Sequence, residues 1–294
     1  YVDTWDPHEP WDAPQYFTEL YLPGYDGEII DPLYGPWQST PGFTEEKVNK
    51  AHASYCGEIT MVDTWIGYLL NRVENMGLMD NTAIIFTSDH GFYFGEHNGL
   101  FGKMTLSKRP DGTPYRADDE DMSWDHSPLY EEVAHIPLLI HVPGASPSVY
   151  DGLTSVVDVM PTVLDFLGQE IPEFVQGESL LPKIHNTSMP GREFTITTVP
   201  FANPGDSVNS VDGIRRRLQA SPVTTITTDQ WSFLYSMDEG MSELYDLRSD
   251  PKQKENLIYG RTDIARDVHN YMLKFLSDTN VAPHLLKSRR ELKL

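Results

Sequence analysis

Apolar residues recur at helical spacing over one long stretch of the chain. They stand three or four positions apart from Val48 to Val73, with Glu45 and Glu46 just before them and Gly77 just after. Because this spacing matches the α-helical turn, it predicts a single long helix that begins at Thr44 and ends near Gly77. The only cysteine, Cys56, falls inside this helix, and we interpret it as a buried structural thiol without a partner base.

Two continuous apolar runs predict buried strands. They are residues 82–88 and 136–141, and continuous apolar runs of this length are typical of parallel strands covered on both faces. A further helix is predicted after Asp158, which is expected to cap it, with Pro161 in its first turn and an apolar face that contains Val163, Phe166 and Leu167. These elements favour an α/β domain.

The pattern changes after Arg192. Short alternating or β-branched runs, separated by turn residues, cover 195–199, 224–228, 231–236 and 243–247 and predict a small antiparallel sheet, followed by a helix over 264–276. We therefore predict two domains: residues 1–192, an α/β domain, and residues 193–294, a smaller α+β subdomain. Residues 1–43, rich in Pro, Gly and aromatic side chains, are expected to form an ordered loop wall, and the polar, acidic stretch 107–127 is expected to be an insertion.

The net charge of the chain argues against some classes of binding partner. Lys and Arg number 22 against 44 Asp and Glu, so the formal net charge is −22. Surfaces that bind nucleic acid or anionic membranes need basic patches, so we expect no nucleic-acid partner. No apolar run is long enough for a membrane span. The chain opens at Tyr1 inside an apparent strand, and we expect an upstream portion to precede it; the cellular compartment is not indicated.

The strongest local chemical signal is Asp89-His90 at the end of the first predicted strand. Ligands collect at the carboxyl ends of strands in open α/β sheets. An oxygen donor and a nitrogen donor side by side suit a divalent cation. The same pair can instead be structural, with Asp89 capping the next turn and His90 packed against its neighbours.

Three further side chains are candidates for contact with a substrate. Lys103 follows a glycine-bearing loop and presents a compact positive charge for an anionic oxygen, although a lone lysine is more often solvated. His8 stands in a Pro-flanked segment that restricts its backbone, and it can donate a proton to a leaving group or simply pack among aromatic residues. His97 can line a substrate pocket, and plain solvation explains it as well.

The order of these features is more specific than any one of them. Pro7-His8-x-Pro10 comes first, then the long helix, then 87–91 (Thr-Ser-Asp-His-Gly), 95–97 (Gly-Glu-His), 102–103 (Gly-Lys) and 243–247 (Glu-Leu-Tyr-Asp-Leu). This ordered set resembles the sulfatase family of the alkaline-phosphatase-like superfamily over nearly the whole chain. The resemblance implies part of the three-layer αβα sandwich of that superfamily, with the small antiparallel α+β subdomain at its C-terminal end.

The resemblance also implies roles for the candidate residues. Asp89 and His90 match the ligands of the active-site divalent cation, usually Ca²⁺, with Mn²⁺ or Mg²⁺ as alternatives. Lys103 matches the residue that contacts the sulfate. His8 matches the residue that faces the ester oxygen and assists departure of the alcohol. These four side chains are therefore expected to meet in a single crevice around a cation and a tetrahedral anion.

The family's nucleophile is a formylglycine made from Cys or Ser in a Cys/Ser-x-Pro/Ala-x-Arg motif. Cys56 is followed by Gly-Glu-Ile-Thr and does not fit, and we expect no serine of this chain to stand in such a motif. We expect the nucleophile and a pair of Asp ligands to lie upstream of Tyr1. Expressed alone, this segment should bind calcium weakly and hydrolyse no aryl sulfate.

The implied function is hydrolysis of a sulfuric ester, with a sulfated small molecule or sugar as substrate. Two alternatives stay open. One is a phosphonate monoester or phosphodiester hydrolase of the same superfamily, because a nitrogen ligand also suits manganese. The other is a non-catalytic module that keeps the scaffold. The acidic insertion can form a pocket rim or the contact of a homo-oligomer, and the sequence does not choose between them.

Overall fold

The computed structural model describes residues 1–106, 108, 125, 127–198, 223–281 and 283–294. Most of the acidic insertion therefore lies outside the described residues. The α-helices are α1 (Gln15–Thr18), α2 (Glu45–Asn75), α3 (Glu96–Gly99), α4 (Glu131–Ala134), α5 (Val159–Phe166), α6 (Leu181–His185), α7 (Thr262–Asp278) and α8 (Pro283–Arg289). Short 3-10 turns cover Trp37–Ser39, Met79–Asn81 and Val156–Asp158.

Within the described residues, the strands form three antiparallel sheets. The strands are β1 (Gly35–Pro36), β2 (Ile84–Thr87), β3 (Tyr93–Phe94), β4 (Leu100–Gly102), β5 (Leu138–His141), β6 (Thr195–Thr198), β7 (Thr224–Thr227), β8 (Trp231–Tyr235) and β9 (Glu243–Asp246). Their orders are β1-β4-β3, β2-β5 and β6-β7-β8-β9. None of the helices in the described ranges is long and apolar enough to cross a membrane.

The chain divides into two compact units. The first unit contains Tyr1–Ser127 and His135–Pro143, and the second contains Pro128–Ala134 and Gly144–Leu294. The domain limits expected from the sequence, 1–192 and 193–294, stay a prediction.

The long helix is confirmed. Thr44 is its N-cap, and its side chain accepts a hydrogen bond from the backbone N–H of Lys47. Gly77 follows the helix with φ of +68°, a left-handed conformation in which glycine carries no steric cost. Only the N-terminal half of α2 is well buried, as at Val48 and Ala51, whereas Trp65 is 65% exposed.

The strand pair β2-β5 corrects the parallel arrangement expected from the sequence. The two strands run antiparallel, with Ile84 opposite His141 and Thr87 opposite Leu138. Their faces are also more open than a continuous apolar run predicts, because Leu139 is 60% exposed. An apolar run fixes neither strand direction nor the layers that cover it, and this is why the expectation failed.

The small antiparallel sheet near the C-terminus is confirmed, with each strand within a residue or two of its predicted limits. Phe233 of β8 and Leu244 of β9 are fully buried, and α7 contributes Ala265 and Met272 to the same core. The apolar face of α7 thus packs on one face of this sheet and forms a core with it.

Asp158 does not cap α5 with its side chain, contrary to the expectation from the sequence. Its fully buried carboxylate accepts hydrogen bonds from the backbone N–H groups of Ser155 and Glu178, both at 2.9 Å, and pairs with Arg192. Lys183 donates to the Glu178 carboxylate at 2.5 Å. Asp158 is thus the centre of a buried polar cluster that ties α5 to residues 178–192.

Candidate active site

The contact between His8 and Lys103 is the centre of the candidate site. Lys103 directly follows β4, and its Nζ lies 3.0 Å from His8 Nε2, although the two residues are 95 positions apart. The Lys103 side chain is 19% exposed and that of His8 is 32% exposed. The structure therefore brings two of the predicted site residues together at a position that solvent reaches.

The hydrogen bonds of His8 specify which of its ring nitrogens carries the proton. A lysine ammonium has donors only, so His8 Nε2 must accept from Lys103. The other nitrogen, Nδ1, lies 2.7 Å from the carbonyl oxygen of Glu9 and therefore donates its proton there. The Trp5 ring packs on the imidazole with a centroid distance of 4.2 Å. His8 is thus a neutral, oriented imidazole that accepts a hydrogen bond from Lys103.

Glu9 is a site residue that the sequence patterns did not reveal. Its side chain is buried, with 7% of the residue exposed, and its Oε1 accepts from Lys103 Nζ at 2.9 Å and from the Tyr34 hydroxyl at 2.5 Å. Burial alone would raise the pKa of Glu9, but the hydrogen bonds from Tyr34 and Lys103 outweigh it and hold the pKa below its usual value. Burial and the bond to Glu9 together raise the pKa of Tyr34. The carboxylate is therefore ionised and holds the ammonium.

The chain conformation around Tyr34 explains why its hydroxyl can reach Glu9. Tyr34 has a left-handed backbone, with φ of +52°, and its carbonyl oxygen accepts from the Leu106 N–H at 2.7 Å. Gly102, with φ of +152°, lies against it so closely that a Cβ there would come within 2.8 Å of the Tyr34 Cα. A glycine directly before Lys103 is therefore required for the close approach of the two segments.

Aromatic packing anchors the loop that carries His8. Trp11 is almost fully buried, and its Nε1 donates to the carbonyl oxygen of Pro7 at 3.2 Å. Its ring contacts the rings of Tyr55 on α2 and of Phe92, Phe94 and Phe101 around β3 and β4. The loop on one side of His8 is thus fixed to the same hairpin that presents Lys103.

Asp89 and His90 follow β2 and contact one another. Asp89 Oδ2 lies 3.4 Å from His90 Nε2, and the Asp89 side chain is 80% exposed. Because His90 Nδ1 is 3.0 Å from the carbonyl oxygen of Gly91, it can donate its proton there and leave the Nε2 lone pair for a ligand. One carboxylate oxygen and one imidazole nitrogen then face the same point, and this donor set fits part of a divalent-cation site.

This chain supplies only part of such a site in the segments that the structure describes. Within them, no group of three or more His, Cys, Asp or Glu side chains could hold a metal ion. Ca²⁺ needs six to eight oxygen ligands, so Asp89 and His90 would have to be completed by other donors. That these two residues share one crevice with His8 and Lys103 stays a prediction.

His97 lies in the β3-β4 hairpin, upstream of Lys103. Its φ of +49° and that of Asn98, +63°, are both left-handed, which is uncommon for residues other than glycine. The His97 ring packs edge-on against Tyr93, with ring centroids 5.9 Å apart. Strained backbone conformations cluster at functional sites, and the two left-handed residues therefore support a functional role for this loop. The contact of His97 with substrate stays a prediction.

Cys56 differs from the expectation in two respects. It is half-buried rather than buried. Its Sγ lies 3.8 Å from His52 Nε2, one helical turn away, so a base does accompany it. Burial raises the pKa of the thiol, which disfavours the reactive thiolate. The structural interpretation of Cys56 is therefore kept, for a different reason.

Residues 188–192 contradict the expectation that no serine fits the formylglycine motif. They read Ser-Met-Pro-Gly-Arg, which matches the motif letter by letter. Ser188 is exposed in the turn after α6, and the arginine of the motif, Arg192, is already paired with buried Asp158. Because these contacts give the segment a structural explanation, we do not assign Ser188 as the nucleophile.

Comparisons with known proteins place these features in a family. The family model described as Sulfatase matches residues 1–169. The chain is 29% identical over 271 residues to an arylsulfatase of Clostridium perfringens and 30% identical over 230 residues to an N-acetylglucosamine-6-O-sulfatase of Bacteroides thetaiotaomicron. It covers 47% and 35% of these relatives, so it spans less than half of their length.

A solved structure supports the same assignment. It was determined in complex with its substrate, D-glucosamine-2-N,6-O-disulfate, and it shares 26% identity with this chain at a TM-score of 0.55. The match covers 84% of this chain and 44% of that structure. The family-model match over more than half of the residues, together with the likeness to sulfatases in sequence and in alkaline-phosphatase-like fold, shows that this chain belongs to the sulfatase family.

Proposed function

We propose that this chain forms the anion-binding part of a sulfatase active site, in a protein that hydrolyses sulfate esters of a sugar or another small alcohol. The observation that carries the proposal is the hydrogen bond between Lys103 Nζ and His8 Nε2. A cation and an imidazole in contact, both partly open to solvent, suit a tetrahedral anion whose leaving group needs a proton. The sulfated glucosamine bound by the solved structure supports a sulfated sugar as substrate.

Lys103 has the larger role in this proposal. Its ammonium would bind a sulfate oxygen and balance the charge that develops as the ester bond breaks. The alkoxide that leaves needs one proton, and in the observed contact that proton lies on Lys103 and points at His8. The His8–Lys103 pair, rather than His8 alone, is therefore the proton source that the geometry supports.

The family implies a divalent cation and a formylglycine. When bound, the cation stabilises negative charge on the sulfate, and the formylglycine supplies the nucleophile. Asp89 and His90 would hold the cation, and we propose calcium, with manganese or magnesium as alternatives. Other segments of the protein would supply the remaining ligands and the nucleophile.

Turnover of 4-nitrophenyl sulfate tests the function. We compare residues 1–294 with the product of the complete reading frame that contains them, each as wild type, Lys103→Ala and the control Lys274→Ala, a surface lysine of α7. We expect turnover by the complete product only, a loss of about 10²- to 10³-fold for Lys103→Ala, and no change for Lys274→Ala. An unchanged Lys103→Ala would refute the proposal.

Comparative turnover also separates the alternatives. The corresponding phosphonate monoester and phosphodiester are offered at equal concentration, with the metal content of the purified protein measured in parallel. Preference for the phosphorus esters together with bound manganese would favour the other hydrolase class. Absence of turnover of every ester by the complete product would favour the non-catalytic module.

A further inference from the structure

We propose that Glu9, held by Tyr34, is a positioning residue that fixes the Lys103 ammonium against His8 and thereby keeps the proton of the pair on Lys103. The proposal deepens the proposed function and rests on it for its catalytic meaning. Its geometric content, a carboxylate that controls the protonation of a neighbouring imidazole, can be tested without any ester.

The Lys103 ammonium is held from two directions. Among the residues that the structure describes, its three N–H bonds find two acceptors, Glu9 Oε1 at 2.9 Å and His8 Nε2 at 3.0 Å. Two acceptors at fixed positions define the direction of the ammonium, and one N–H bond remains for an anion. Without Glu9, His8 alone would hold a flexible four-carbon side chain.

The Glu9 carboxylate is itself held in place, as it must be to orient a cation. Tyr34 supplies this support through its 2.5 Å hydrogen bond to the same oxygen. Tyr34 is in turn fixed by its strained backbone and by the close approach of Gly102. Tyr34, which directly precedes β1, therefore holds the Glu9 carboxylate, and that carboxylate holds the Lys103 ammonium.

Both ring nitrogens of His8 depend on Glu9. The backbone carbonyl of Glu9 accepts from Nδ1, while the Glu9 side chain directs Lys103 at Nε2. The Glu9 carboxylate also lies near Nδ1, with Oε2 3.6 Å away. One residue thus orients the whole imidazole through both its backbone and its carboxylate. If the side chain is neutralised, the Nε2 contact loses its support, and the ring is expected to populate the tautomer with the proton on Nε2.

Nitrogen-15 NMR of the histidine rings in residues 1–294 tests this directly. In the wild type we expect an unprotonated Nε2 and a protonated Nδ1 for His8, whose signals are assigned by their loss in His8→Asn. In Glu9→Gln we expect them to shift toward the positions found in Lys103→Met, which lacks the donor. Unchanged His8 signals in a folded Glu9→Gln protein would overturn the proposal.

Competitive acetylation of lysines, read by mass spectrometry, gives a second measurement. Loss of a charge-assisted hydrogen bond should raise the acetylation rate of Lys103 in Glu9→Gln by about tenfold. The matched control is Glu28→Gln, which removes a carboxylate at 2.8 Å from Lys50. It should raise labelling of Lys50 and leave Lys103 unchanged; equal labelling of Lys103 in wild type and Glu9→Gln would contradict the proposal.

Tyr34→Phe keeps the test decisive if Glu9→Gln does not fold. It removes one hydrogen bond from the carboxylate and keeps the charge, so both measurements should move in the same direction by a smaller amount. Because neither measurement uses an ester, their outcome is separate from that of the turnover test. In protein that hydrolyses sulfate esters, Glu9→Gln should lower kcat and shift its pH profile, whereas a merely structural role would leave that profile unchanged.

Discussion

Two buried carboxylates, Glu9 in the first compact unit and Asp158 in the second, are each paired with a basic side chain. Asp158 is fully buried, and its oxygens accept from two backbone N–H groups and from Arg192. Glu9 accepts from two side chains, Tyr34 and Lys103, and Lys103 remains partly exposed and also contacts His8.

The difference separates a carboxylate that holds the fold together from one that serves a site. Two of the donors to Asp158 are backbone N–H groups, which tie together chain segments, and the third, Arg192, also pairs with Glu178. Donors to Glu9 are side chains, and one of them keeps an N–H bond for another acceptor. A buried ion pair is therefore not evidence for function until the remaining hydrogen-bonding capacity of its cation has been counted.

The largest expected effect concerns Asp158. Asp158→Asn removes the buried charge of the pair and leaves Arg192 only its longer contact to Glu178, 3.5 Å between Nε and Oε1. Breaking a buried pair in this way costs about 3–5 kcal/mol. Urea unfolding measures the change in free energy of unfolding. The control Asp263→Asn removes a 69% exposed carboxylate from Arg261 and should change stability by less than about 1 kcal/mol. Equal losses of unfolding free energy in the two variants would show that the buried Asp158 carboxylate does not hold the fold together.

A third buried carboxylate, Glu58, sharpens the comparison because no cation compensates it in the contacts described. Burial raises its pKa to about 7, although the backbone N–H of Asp12 donates to it at 2.6 Å. Its folded pKa lies above the usual 4.5, so the protein loses stability as pH rises from about 4.5 to about 7. The loss is at most roughly 3 kcal/mol.

Glu58→Gln should abolish this pH dependence, so that the variant gains on the wild type between pH 5 and pH 8. Thermal unfolding at each pH measures the difference. Glu74→Gln, an exposed carboxylate on the same helix, should give no such trend. A constant difference between Glu58→Gln and the wild type across this range would show that Glu58 does not titrate there.

Glu9 should show the opposite sign and a smaller effect. Its folded pKa lies below the usual 4.5, so its contribution to stability is present above that value and is lost as pH falls through the folded pKa. Acid unfolding of Glu9→Gln should therefore be less steep than that of the wild type below pH 4.5. An acid limb as steep in the variant would mean that Glu9 is not stabilised by Lys103 and Tyr34.

The smallest effect is expected at Ser188. Ser188→Ala should leave both stability and any turnover unchanged, because this serine is exposed. Its hydrogen bond to Asn186 Oδ1 is donated by the backbone N–H, which alanine keeps. Peptide mapping should find an unmodified serine at position 188. Detection of the two-hydrogen loss that marks formylglycine would instead make residues 188–192 a genuine nucleophile motif.

The sequence was most informative where a local pattern decides the structure. The cap at Thr44, the stop at Gly77 and the short β-forming runs of β7, β8 and β9 are local properties, and the structure confirms them. Strand direction was not predictable from the apolar runs of β2 and β5, because it depends on which strand becomes the neighbour. The same limit applies to the exposure of their faces.

The candidate site was predictable only in part, for a related reason. His8 and Lys103 were found through the order of motifs, whereas Glu9 looks like any solvated acid in a loop. Its partners lie 25 and 94 positions away, at Tyr34 and Lys103, and nothing in the sequence indicates that they meet. One signal was available in the sequence. Glu9 lies between His8 and Pro10, and the prolines that restrict the backbone at His8 also restrict it at Glu9.

The packing of Trp5 on His8 gives the molecule an optical probe of its own site. An indole in contact with an imidazole loses emission when the ring becomes an imidazolium, because the cation quenches the excited state. Trp5 is 73% exposed and only 4.2 Å from the His8 ring, measured between centroids. The difference in fluorescence between the wild type and Trp5→Phe should thus report when His8 gains a proton, without any label.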